Sequence, residues 1–185
     1  MARYFCRNIS IIVLLIIISP LTGSILLGSP QKDISGIINT YARVNTIEAT
    51  DALILDDVTG FSSGDTVLVI QMKGVSVQVS QTSGFGQEDG YLEGQPGSYG
   101  VGFYELIVIE QVETGPNRII FRNDLAGYDN YNVEGLIQVV KVPSYKSANV
   151  NGELTCPAWD SISGTGGVLA LIANRRLELN ADINV

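Results

Sequence analysis

Nineteen carboxylates and not one histidine set the chemistry open to this 185-residue chain. Histidine is the common base beside a serine or cysteine nucleophile and a common zinc ligand, so its absence removes those routes. Paired carboxylates remain as the one route to hydrolysis, with Glu105 and Glu110 close in sequence and Asp56, Asp57 and Asp65 around a turn. A glycosidase needs two such groups across a sugar ring. With 19 acids some pair looks suggestive by number alone, and the chain is read as having no catalytic residue.

Binding is the better use of these side chains. Asp56, Asp57 and Asp65 bracket residues 58–64, a stretch of small residues. Carboxylate and carbonyl oxygens from such a turn suit a hard cation, which makes the three aspartates the candidate calcium ligands, with solvated turn carboxylates as the alternative. Asp124, Asp129 and Asn130 form a second set, and neither follows the DxDxDG spacing of the helix-loop-helix calcium motif. No other cofactor is expected: there is no GxGxxG opening a helix and no phosphate loop with its lysine. Residues 161–167 are rich in glycine but hold no Lys or Arg, and are read as a turn. Trp159, the single tryptophan, is the candidate glycan-binding residue, with a plug at a barrel end or junction as the alternative. Tyr91, Tyr99, Tyr128 and Tyr131 add rings in two loops, 80–100 and 123–132. Cys156 has no base to activate it and is read as a small buried residue.

Strands must hold these residues. Apolar residues come in short β-branched bursts separated by Gly, Asn, Asp and Pro, with no sustained helical period. Strands are expected at 41–44, 52–55, 66–73, 75–79, 103–112, 118–122, 136–142, 148–150, 167–173 and 177–185, and residues 31–39 are expected to be a polar lead-in. The run Thr66 to Met72 is apolar on both faces, as in a strand covered on both sides. Residues 112–117 contain Gly115 and Pro116 and read as a hairpin connection. Leu177, Leu179, Ala181, Ile183 and Val185 alternate with polar residues, the period of a strand with one buried face. That pattern is still running at the last residue, so the strand is expected to be covered by chain that a longer protein would supply, or else by an earlier strand of this one.

The N-terminus explains where such a chain works. Arg3 and Arg7 precede the aliphatic run 9–18, and Ser19, Pro20 and small residues follow. This is the order of a secretory signal peptide, and its apolar core is shorter than the roughly twenty residues of a membrane span. Residues 1–28 are expected to be removed between 22 and 29; a signal anchor is the alternative if residues 21–27 continue the span. Of the 11 basic residues, Arg3 and Arg7 lie in the leader, leaving 9 against 19 acidic ones, a formal charge of -10. Such a surface repels nucleic acid and anionic headgroups. Cys6 leaves with the leader, so Cys156 has no partner for an intrachain disulfide.

Several strings are similar to a known group: Gly64 to Gly74 (GDTVLVIQMKG) with Tyr104-Glu105-Leu106, then Gln138 to Tyr145 (QVVKVPSY), Leu154 to Asp160 (LTCPAWD) and Gly166 to Leu171 (GGVLAL). Over residues 37–185 the chain resembles the N-terminal region of large exported surface proteins of Bacteroidetes-type bacteria, whose full-length forms carry glycine-rich β repeats and a C-terminal sorting domain. The resemblance implies a secreted or cell-surface location and no catalytic residue.

The expectation is therefore an all-β chain: a β-sandwich or barrel over 29–150, leading into the first strands of a β-helix or a second β layer over 151–185. Its expected role is a non-catalytic structural or adhesive module, or alternatively a carbohydrate-binding or accessory N-terminal domain of a polysaccharide-active enzyme. Its expected partners are the export machinery, an extracellular glycan or a surface protein, and no nucleic acid.

Overall fold

The computed structural model describes residues 12–17, 31–74 and 100–185. Eleven strands follow in chain order: β1 (Ile12–Ile17), β2 (Lys32–Ile37), β3 (Tyr41–Ala49), β4 (Ala52–Leu55), β5 (Thr66–Gln71), β6 (Tyr104–Thr114), β7 (Asn117–Phe121), β8 (Ile137–Lys141), β9 (Ser144–Thr155), β10 (Val168–Leu179) and β11 (Ile183–Asn184). Two 3-10 turns, Tyr128–Asn130 and Val133–Gly135, separate β7 from β8. No described helix is long and apolar enough to cross a membrane.

Six strands close into an antiparallel barrel in the order β3-β4-β7-β6-β5-β8. Alternation of side chains fills it: Val67 and Val69 of β5, Ile109 of β6, Ile119 of β7 and Val139 of β8 point inward and are essentially inaccessible. Phe61, Leu125 and Tyr131 from the connections join the same core. Of the expected sandwich or barrel, the chain builds the barrel, and closure leaves it no free edge.

The other strands form an open sheet in which every pairing is parallel: β2 and β10 flank β9, β11 pairs with the far end of β9, and β1, which falls within the expected leader and is absent once that leader is removed, lies along β10. The described residues form no β-helix solenoid. The physical reason lies in the path: between β2 and β9 the chain leaves the sheet to build the whole barrel, so these strands are not successive coils. Residue 150 lies within β9, and β2 belongs to this sheet, so the sheet takes chain from both sides of the barrel. The lead-in over 31–39 thus contains a strand, β2, which its polar residues masked.

Two further differences concern β10. Residues 167–173 and the start of 177–185 are one strand, carried through exposed Asn174, Arg175 and Arg176 by a register shift between Ala173 and Arg176. The alternation over 177–185 is then broken after Leu179: Asn180 N–H donates to Val150 O at 2.9 Å, Leu154 N–H to Asp182 O at 3.0 Å, and pairing resumes at Ile183. The break matches a step in β9, where residues 151–153 bulge over Ser35. Only glycine fits at 152, since a Cβ there would stand 2.9 Å from that of Ser35.

The barrel and the sheet share a third core. Leu68 and Ile70, on the outer face of β5, and Val140 of β8 meet Val168 and Ala170 of β10. Meanwhile Leu169, Leu171 and Ala173 turn to the sheet's own core with Ile34, Val150 and Leu154. Both β5 and β10 are therefore covered on two faces, which is why each reads as a continuous apolar run. The strand expected at 75–79, and Tyr91 and Tyr99, lie outside the described residues.

Candidate functional site

The three aspartates at the turn after β4 are held by backbone donors. Asp56 Oδ1 accepts from the N–H groups of Arg43 and Asp57, both at 2.8 Å, and Asp57 Oδ1 accepts from Thr59 N–H at 2.8 Å. That last bond holds the exposed Asp57 carboxyl below its ordinary range. Asp65 Oδ2 accepts from Ser62 N–H at 2.7 Å and pairs with Lys141 Nζ at 2.7 Å, while Nζ also donates to Gly60 O at 2.8 Å. Lys141 thus supplies a positive charge to the turn. Among the described residues no three His, Cys, Asp or Glu side chains form a group that could hold a metal ion.

Three further carboxylates, Glu105, Glu110 and Asp124, are also tied. Glu105 accepts from the N–H groups of Ala126 and Gly127 at 2.9 and 3.3 Å, fixing the loop after β7 to the start of β6. Glu110 pairs with Arg122 at 3.2 Å, and Asp124 accepts from the Thr50 hydroxyl at 2.9 Å. Glu105 and Glu110 do not face a common ligand: each belongs to its own structural contact.

Trp159 is half-buried in a folded loop between β9 and β10. Asp160 organises that loop. Its side chain accepts from Ile162 and Ser163 N–H groups at 2.9 and 3.4 Å, its backbone bridges to Thr165, and the Ile162 bond holds its exposed carboxyl below its ordinary value. The glycines close the return, as expected of a turn: Gly166 has φ +96°, and a Cβ there would stand 2.4 Å from Ala158 O. Cys156 is only half-buried, beside the sheet core, and burial raises its thiol above the ordinary range.

Sequence reading missed two features. The first is a set of buried amides. Gln138 bonds both ways to Gly166, with Nε2 donating to O at 2.9 Å and Oε1 accepting from N–H at 3.1 Å. Gln71 does the same with Asn132 at 2.9 and 2.8 Å, and Asn39 with Ala170 at 2.6 and 3.1 Å. Each supplies the pairing of a missing strand residue. Their signal was a polar residue inside or beside an apolar run.

The second is an aromatic contact between the residue before β6 and the loop after β7. Phe103 packs edge-on against buried Tyr131, with ring centroids 5.2 Å apart, and against Gly127, where a Cβ would fall 2.0 Å from the Phe103 ring. Burial pushes the Tyr131 hydroxyl well above its usual range. These contacts and the Glu105 bonds set residues 101–105 beside 126–128. The flanking side chains are open: Val101, Tyr104 and Tyr128 are 46%, 42% and 36% exposed.

The chain matches no protein-family model and no curated protein sequence. Among solved structures it is similar to the Gp54 tailspike of Acinetobacter baumannii bacteriophage AP22, in complex with A. baumannii capsular saccharide, at 12% identity and a TM-score of 0.36. The match covers 80% of this chain and 24% of the tailspike, so the chain spans about a quarter of that protein's length. A likeness at that score carries no argument about fold or ligand.

Proposed function

We propose that this chain is a non-catalytic carbohydrate-binding module of an exported, cell-surface protein, and that it adheres by stacking sugars on its exposed tyrosines, Tyr104 and Tyr128. One observation carries the reading: Val101, Tyr104 and Tyr128 stand exposed on two segments that Glu105 and Gly127 hold side by side. A pyranose has a C–H face and a hydroxyl rim, which complements rings that are apolar in body and polar at the tip. The formal charge, -8 for the full chain and -10 without the leader's Arg3 and Arg7, favours a neutral glycan over a polyanion. The carboxylates that could have served catalysis are used in turns and ion pairs, which supports a module without a reaction of its own. The leader supports export, as does the resemblance to the N-terminal region of large exported surface proteins. The capsular saccharide in the tailspike complex is a statement about the tailspike.

Screening the full chain against immobilised glycans tests this. Binding is expected for at least one neutral glycan, falling about tenfold or more in Tyr104→Ala and Tyr128→Ala with the melting temperature unchanged. Retention of full binding by both variants would sink the tyrosine site. Loss of binding in Trp159→Ala alone would move the site to the 157–167 loop.

A further inference from the structure

The sequence holds one Asn-Gly pair, Asn151-Gly152, and it falls where β9 breaks step with its neighbours. On one side the pairing passes from Ile34 opposite Val150 to Gly36 opposite Leu154, so residues 151–153 stand against Ser35 alone. On the other it passes from Val150 opposite Leu179 to Leu154 opposite Ile183. Asn151 and Gly152 thus lie inside a strand but have no register partner on either side.

The other asparagines of this sheet are held by their side chains. Asn149 bonds Asp33 and Asn180, at 2.9 and 2.6 Å, Asn174 donates to the Ser144 hydroxyl at 3.0 Å, and Asn184 donates to Glu153 at 2.8 Å. Asn151 is exposed, and its amide has no partner among the described residues. An unheld asparagine before a glycine is open to attack by the next main-chain nitrogen. Glycine has no side chain to keep that nitrogen away from Cγ, and its backbone turns freely.

We propose that Asn151 is a modification site, at which the chain converts spontaneously, through a cyclic imide, to isoaspartate and aspartate. The Gly152 nitrogen bonds to Asn151 Cγ, the Cγ–Nδ2 bond breaks, and the proton from Gly152 leaves with Nδ2 as ammonia. Water then opens the imide. Cleavage between the nitrogen and Cγ gives aspartate, and cleavage between the nitrogen and the former main-chain carbonyl gives isoaspartate, whose main chain runs through Cβ and Cγ. Both products add a negative charge, and isoaspartate also adds a carbon to the main chain. The bulge has little room for it: a Cβ on Gly152 would stand 2.9 Å from that of Ser35, and Leu154 N–H already donates to Asp182 O at 3.0 Å. The isoaspartate form therefore shifts the end of β9 against β2 and β11.

The full chain, incubated in mildly alkaline buffer at physiological temperature, tests this by peptide mass spectrometry. Fragmentation is expected to place a gain of one mass unit on residue 151, about tenfold or more faster than on Asn149, Asn174 or Asn184. Labelling by an isoaspartate methyltransferase is expected to follow the same course. Asn151→Gln keeps the amide but needs a larger ring, and is expected to abolish the gain at the wild-type melting temperature. In the isoaspartate form, separated by anion exchange, the Leu154 amide is expected to exchange its hydrogen faster than in the unconverted chain. The proposal is overturned if residue 151 converts no faster than the held asparagines, or converts only in the urea-unfolded chain, which would show that the strand protects it. An isoaspartate form whose Leu154 amide exchanges at the wild-type rate would overturn the shift in β9.

Discussion

At position 138 a glutamine sits between Ile137 and Val139 with no exposed surface, and both ends of its amide are used by Gly166. Leucine would fill similar space but leave the Gly166 N–H and C=O without partners in a place water does not reach. A buried unpaired group costs about 1–3 kcal/mol, so Gln138→Leu is expected to lower stability by about 2–4 kcal/mol in urea unfolding. A loss below about 0.5 kcal/mol would mean that the amide is dispensable. Asp160 acts on the same loop through charge. Its folded-state pKa is depressed, so its contribution is fully present above the unfolded value, near 3.9, and is lost as pH falls through the lower folded value. The fluorescence of Trp159 is expected to change over that acid window in the wild type and to lose the transition in Asp160→Ala. Residues of this kind are half legible in sequence. A glutamine within IQVVK announces that it must be paired, but its partner lies 28 residues away, and the Asn39 partner lies 131 residues away. No local spacing encodes such distances.

At the scale of elements, legibility follows the number of buried faces. β4 lies where its apolar burst places it, and β5 is legible because Val67 and Val69 serve the barrel while Leu68 and Ile70 serve the sheet. β2 is not, because one strongly buried residue, Ile34, stands among polar neighbours and the strand exists only through its pairing with β9. The regular alternation over 177–185 misled for the opposite reason. Period alone does not register the bulge in β9 that forces β11 to start afresh. The turn after Gly127 is set by a close approach that sequence does not reveal. Gly127→Ala would drive a methyl into the Phe103 ring and shift Tyr128 relative to Tyr104. The expected cost is about 1–3 kcal/mol, with the near-ultraviolet signal of the Phe103–Tyr131 pair altered. Glycan binding is expected to fall in the same variant while its far-ultraviolet spectrum stays that of the wild type. Unchanged binding would mean that the turn does not set the platform.

The whole molecule consists of a closed barrel and an open sheet that need each other. The outer face of β5 and β8 would be an exposed apolar patch without β10, and Val168 and Ala170 would face water without the barrel. Tyr41 donates to Val168 O at 2.6 Å, and Asn39 and Gln138 add the amide bonds, so the junction is tied by polar contacts as well as packing. This predicts one cooperative transition in which Trp159 fluorescence, reporting the loop that enters β10, and the far-ultraviolet signal of the strands share a midpoint. Ala170→Asp should break the coupling. Ala170 is 1% exposed between barrel and sheet, and an unpaired carboxylate there costs several kcal/mol or forces the surfaces apart. The barrel retains its closed set of hydrogen bonds in that variant, whereas β10 loses its seat. The Trp159 signal is therefore expected to be lost first, at lower denaturant, with a second transition for the barrel. Two transitions already present in the wild type would mean that the shared core does not couple the parts, and a single coincident transition in Ala170→Asp would place the coupling elsewhere.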